Sequence, residues 1–139
     1  MIYETRISVV VVDENGNEKT QKRAYILENA SSFSDAEHTL ENEFGNETGF
    51  EVNAIKISKL REIINEAPKG DSGCKIYFAT IIDKFYDSDK DETTETKYTV
   101  ALYAHDINEA HSSIKQYMLQ GLEDMELVAI KETKYFEVI

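Results

Sequence analysis

Three carboxylates at alternate positions, Asp87, Asp89 and Asp91, look like the opening of a calcium loop. In such a loop acidic side chains spaced by two converge on one ion. Its sixth position must be Gly to make the sharp turn, but here it is Glu92, and the flanks read as strands rather than helices. Asp13-x-Asn15-x-Asn17 repeats the alternation earlier in the chain, so both segments read as solvated hairpin tips. His105, Asp106 and His111 gather at a helix start, yet zinc wants at least three well-placed donors. Asp106 is more simply a helix N-terminal carboxylate favoured by the macrodipole. The single thiol, Cys74, has no His at a recognisable motif spacing and reads as a surface group in a Gly-rich connector. The six glycines fall at turns and helix ends, so no phosphate loop is present. No catalytic residue, metal ligand or cofactor is assigned on these grounds.

Lys56 and Lys131 differ in kind. They occupy matched positions near the ends of matched strands, with Lys59 and Lys134 beyond them. Facing each other across a dyad, such a pair would hold a small anion, with Tyr3 and Tyr77 as stacking platforms. The competing reading is structural: Lys decorates exposed strand ends and Tyr fills the core edge.

The matched positions belong to a repeat that must place all of these groups. Residues 2–64 and 76–139 align at a spacing of 74 through the first helix and 75 from Phe50 onward. Ile2, Tyr3, Ile7, Asp13, Glu18, Thr20, Ala30 and Ala36 meet Ile76, Tyr77, Ile81, Asp87, Glu92, Thr94, Ala104 and Ala110, and Ile26 falls on Val100. Phe50-Glu-Val-Asn-Ala-Ile-Lys56 returns as Met125-Glu-Leu-Val-Ala-Ile-Lys131. Two copies of this length make an internal dimer rather than a solenoid.

Each copy reads strand, hairpin, strand, helix, strand. Tyr3, Thr5, Ile7, Val9 and Val11 alternate with polar residues, the period of a half-buried strand. A second strand follows over 19–28. Ser34 with Glu37 fits a capping box, Phe33, Ala36, Leu40 and Phe44 mark the inward helix face, and Gly45 closes the helix. Residues 50–57 form the third strand, and 58–66 are expected to add a short helix before Pro68 and Gly70 break the chain. The second copy is expected to place strands at 75–86, 96–103 and 126–133, with a longer hairpin loop at 87–93. Its helix covers 108–119, with Ile107, Ala110, Ile114 and Met118 inward. The expected fold is α+β: tandem duplicated ββαβ units related by a pseudo-two-fold axis, in an antiparallel-rich sheet with helices on one face. One compact domain, 1–139, holds both repeats, joined by a connector at about 65–75. One six-stranded sheet or two facing sheets would both serve.

Composition narrows the function classes. A net charge of −12 repels a phosphate backbone, which disfavours nucleic acid. The charge is shared, −5 over residues 1–69 and −7 over 70–139. The longest apolar run, Val9–Val12, is far too short to span a membrane. With Met1 leading straight into strand-like sequence, a cytoplasmic location is expected.

The start Met1-Ile-Tyr-Glu-Thr-Arg6, the helix entry Phe33-Ser-Asp-Ala-Glu37, and the strand Phe50–Lys56 followed by Glu62-Ile63 carry a family likeness. With their second-copy echoes, they resemble a domain-of-unknown-function family of Bacteroidetes and their phages. The resemblance implies a duplicated α+β fold and a bacterial or phage cytosolic setting, and supplies no activity. The expected function is a non-enzymatic binding protein, a phage or mobile-element accessory factor acting on a host protein. A nucleotide-type small-ligand binder, and an enzyme with a site between the repeats, are the alternatives.

Overall fold

A computed structural model describes residues 1–67, 73–121 and 124–139. Pro68 and Gly70, the expected chain breakers, lie outside them. The chain is mixed α+β, with two helices and two four-stranded, mainly antiparallel sheets. It divides into two compact units. The first comprises Met1–Ser58 with Lys134–Ile139, and the second Lys59–Thr133.

In the first unit, β1 (Tyr3–Val12) forms a hairpin with β2 (Glu18–Leu27) and pairs antiparallel with β3 (Glu51–Ile57) on its other side. Helix α1 (Phe33–Phe44) packs on one face. The period-2 pattern does what alternation requires: Tyr3, Thr5, Ile7 and Val9 are buried and meet Tyr25, Leu27, Ala36, Leu40 and Phe44 in one core. Thr5 is tolerated there because its Oγ1 donates to the Tyr25 carbonyl at 2.9 Å. Gly49, at φ +69°, lets the loop before β3 press onto β1. A Cβ there would stand 2.5 Å from Val10 Cγ2.

In the second unit, β5 (Lys75–Asp87) and β6 (Glu92–Ala104) make the hairpin, β7 (Asp124–Glu132) flanks β5, and α2 (Ile107–Leu119) covers Tyr77, Ala79, Ile81, Val100 and Leu102. On the sheet faces away from the helices, Ile26 in the first unit and Ile76 and Ala101 in the second are also buried.

The fourth strand of each sheet comes from the other repeat. Residues 58–66 form no helix; Leu60–Ile63 are a strand, β4, running parallel to β6. Tyr135–Val138 form a strand beyond the expected end of the chain's last element, β8, parallel to β2. The strand orders, β3-β1-β2-β8 and β7-β5-β6-β4, therefore correspond. So do the details. The β1–β3 register shifts between Arg6 and Ile7, leaving Asn53 extra, and the β5–β7 register shifts between Thr80 and Ile81, leaving Val128 extra. Ser58 N donates to Ile2 O at 2.8 Å and Thr133 N to Ile76 O at 3.0 Å.

Several expectations need correction. Tyr3 pairs with Leu27 but Tyr77 with Leu102, so the second strands align at 75 rather than 74. Ile26 thus corresponds to Ala101, not Val100, and both lie on the face away from the helix. One residue of offset in a strand exchanges its faces. The longer hairpin loop is instead a longer hairpin, paired as far as Asp87 with Glu92. Ser32 rather than Ser34 caps α1: its Oγ accepts from Asp35 N at 3.0 Å while the Asp35 carboxylate accepts from Ser31 N at 2.8 Å. Asp106 caps α2 in the same way, accepting from Glu109 N at 2.8 Å. Phe33 and Ile107 each open a helix immediately after its cap, off the inward row, and remain 52% and 47% exposed.

Candidate functional site

The second hairpin ends in a cluster that the first lacks. Phe85 and Tyr86 lie near the end of β5 and are each 57% exposed. They lead into Asp87, Asp89, Asp91 and Glu92, with Lys90 among them. The backbone explains the carboxylates. Asp87 Oδ1 accepts from Asp89 N at 3.0 Å, folding the turn, and Asp91 sits at φ +48°, a region Asp tolerates better than most residues. Tyr86 Oη donates to Asp91 Oδ1 at 2.5 Å, which holds its phenol protonated above the ordinary range. The Asp87 and Asp91 carboxylates thus each accept a hydrogen bond within the hairpin tip. Among the described residues no group of three or more His, Cys, Asp or Glu could hold a metal ion. At the first tip Asp13 Oδ1 accepts from Asn15 N and Asn17 N, each at 2.9 Å, and the preceding strand residues are Val11 and Val12.

A second polar departure lies on the helix-facing side of the second sheet. Asp83 stands where the first unit has the fully buried Val9. Its Oδ1 is buried with no hydrogen-bond partner among the described residues. Around this end of the sheet Tyr98 Oη donates to Met125 Sδ at 3.7 Å, and the Arg61 guanidinium lies 4.1 Å over the Tyr98 ring. Tyr117 Oη donates to Glu62. Burial first, and then that hydrogen bond, pushes the Tyr117 phenol well above its usual range. In the first unit Tyr135 Oη donates to Glu4 and is shifted upward for the same two reasons. The folded state therefore holds these protons more tightly than the unfolded chain does. Stability from these phenols should be complete below about pH 10 and be lost as pH rises beyond it. An ultraviolet titration should show Tyr117 and Tyr135 ionising after the ordinary tyrosines. Tyr117→Phe should remove one late phenol, and a single transition near the ordinary value for all eight tyrosines would contradict the assignment.

The residues proposed for an anion fare unequally. Lys56 and Lys131 are exposed, on β3 of the first unit and β7 of the second. Tyr3 and Tyr77 are 1% and 4% exposed inside the two helix-facing cores. Tyr3 meets the edge of Phe33 at 5.3 Å. A buried ring offers no face for stacking, so neither serves as a platform in the folded unit.

The structure does bring together two groups that the sequence leaves apart. Cys74 Sγ lies 3.6 Å from His105 Nε2, and His105 Nδ1 lies 2.8 Å from Glu109 Oε2. A legible signal existed: the hairpin register that sets Lys75 opposite Ala104 places Cys74 beside His105. Asp106 is occupied as the α2 cap. No helix among the described residues is long and apolar enough to cross a membrane.

Compared with known proteins, the chain matches along residues 1–139 a family model described as a domain of unknown function, DUF4494. No curated protein matches it.

Proposed function

We propose, on the premise that the chain belongs to the DUF4494 family, that it is a non-enzymatic binding protein whose second hairpin tip engages a basic protein. The observation that carries this reading is the exposure of Phe85 and Tyr86, one on each face of the hairpin end, beside the tip carboxylates. Aromatic side chains supply large contact area at little entropic cost and dominate the energetics of interfaces. Carboxylates around them attract Lys and Arg, whose cations also favour aromatic faces. The wider field agrees in sign. The first unit carries 12 acidic and 6 basic side chains and the second 15 and 9, a net −6 in each. That charge steers basic partners inward and nucleic acid away.

The two units are read as descendants of one ββαβ ancestor. The paired β-bulges, the paired helix caps at Ser32 and Asp106, and the corresponding strand orders support this duplication. The likeness to proteins of Bacteroidetes and their phages makes a bacterial host protein the partner to seek, with this chain as a cytosolic accessory factor.

Affinity capture from host lysate, followed by direct titration of the recovered protein, tests the reading. A basic partner should bind the wild type, lose roughly tenfold or more in affinity to Phe85→Ala/Tyr86→Ala, and weaken as salt rises. Equal binding by wild type and double variant would overturn the assignment to this tip.

A further inference from the structure

Cys74, His105 and Glu109 stand in the order that activates a nucleophile. Glu109 extends from the first turn of α2 and takes His105 Nδ1 at 2.8 Å. The second carboxylate oxygen lies 3.1 Å from the same nitrogen. With Nδ1–H donated to the carboxylate, the lone pair of the neutral ring is on Nε2, which faces Cys74 Sγ at 3.6 Å. A thiol, a base and a group orienting that base are the three parts such chemistry requires. Among the described residues, Lys75 pairs with Glu132 at 3.1 Å, and the Asp106 carboxylate accepts from the Glu109 N–H at 2.8 Å. Cys74 is only partly buried, so a small reagent can reach it. The arrangement is private to the second repeat, because Ser31 and Asp35 hold the positions of His105 and Glu109 in the first.

We propose that Cys74 is a reactive thiol built for exchange with low-molecular-weight disulfides. Its proton passes to His105 Nε2. The thiolate attacks one sulfur of the disulfide, the S–S bond breaks, and a mixed disulfide forms on Cys74. The departing thiolate takes the proton back from the imidazolium. Cys74 is oxidised, one sulfur of the reagent is reduced, and one free thiol is released. The mixed disulfide would place a reversible adduct at the start of β5, a modification site independent of the hairpin-tip reading.

Magnitudes decide which measurement reports this. An ordinary thiol is only about 3% thiolate at pH 7, so stabilising the anion raises its population up to roughly thirtyfold. A thiolate of lower pKa is also a weaker nucleophile, with a Brønsted slope near 0.4–0.5, so the net gain in rate at pH 7 shrinks to a few-fold. The midpoint of the pH–rate profile is therefore the better readout. Dipyridyl disulfide, an uncharged reagent, would be reacted with the whole chain, folded and in denaturant, from about pH 5 to pH 10. The folded wild type should show a midpoint at least one unit below that of the unfolded chain. It should react several-fold faster near pH 6 and slower above about pH 9. His105→Gln should return the midpoint to the ordinary thiol range while circular dichroism stays unchanged, and Glu109→Gln should move it part of the way. After glutathione disulfide treatment, intact mass should show one adduct, absent in Cys74→Ser. Coincident midpoints for folded and unfolded chains, or a midpoint indifferent to His105→Gln, would overturn the proposal.

Discussion

Leu40→Ala should lower stability by about 2–5 kcal/mol, and its effect should reach the far end of the chain. Leu40 is fully buried at the middle of the inward row of α1, between Ala36 and Phe44. Truncation removes its burial and leaves a cavity bounded by the rigid β1–β2 sheet, which has little freedom to collapse. The distribution of the loss is the sharper test. The Ile139 amide donates to Ile26 O at 2.8 Å, and the Ile64 amide to Ala101 O at 2.9 Å. In Leu40→Ala hydrogen exchange at Ile139 should accelerate more than at Ile64, although Ile64 is far closer in sequence. Ile114→Ala, in the core of the second unit, should reverse the order. Exchange that tracks position along the chain, with Ile64 following Leu40 and Ile139 following Ile114, would refute the assignment of the tails.

Asp83→Val should stabilise the chain by about 1–3 kcal/mol, against the usual direction for a substitution inside a sheet. The carboxylate occupies the place of Val9, and one of its oxygens is buried without a partner among the described residues. Valine has similar volume, high strand propensity and no polar atom to desolvate. The melting temperature should rise by roughly 3–10 °C. Asp83→Ala, which removes the charge without filling the space, should give less. A lower melting temperature for the valine variant would mean that the carboxylate is satisfied in the folded protein.

Long periodic elements were legible from residues alone. The alternation of Tyr3 to Val9 and the helical row Ala36, Leu40, Phe44 each bury one face, and burial is what their spacing encodes. Short elements were not. Leu60 and Ile63 are spaced like neighbours on a helix, and a four-residue strand has no room to display a competing period. The one-residue offset of the second strand was hidden because Glu18 with Glu92 and Thr20 with Thr94 match in its exposed half. Burial, which would discriminate, begins only near Tyr25. At the hairpin tip, composition revealed the carboxylates but not that the turn uses them. Cys74 and His105 are separated by 31 residues, and only the strand register makes them neighbours.

The exchanged fourth strands are a matter of reach. Between β3 and β4 stand only Ser58 and Lys59, and between β7 and β8 only Thr133 and Lys134. Within its own sheet, the tail would have to cross two strands, about 14 Å at the usual spacing. It would also have to return the length of β3, because the slot beside β2 runs parallel to β3. Two residues span about 11 Å at most, and a parallel crossover takes a dozen or more. A lone repeat therefore cannot complete itself; it must lend its tail and borrow another. Two separate molecules would do this only as concentration allowed, whereas a chain that carries both units supplies each tail intramolecularly. What would be an association equilibrium between separate units is here part of folding.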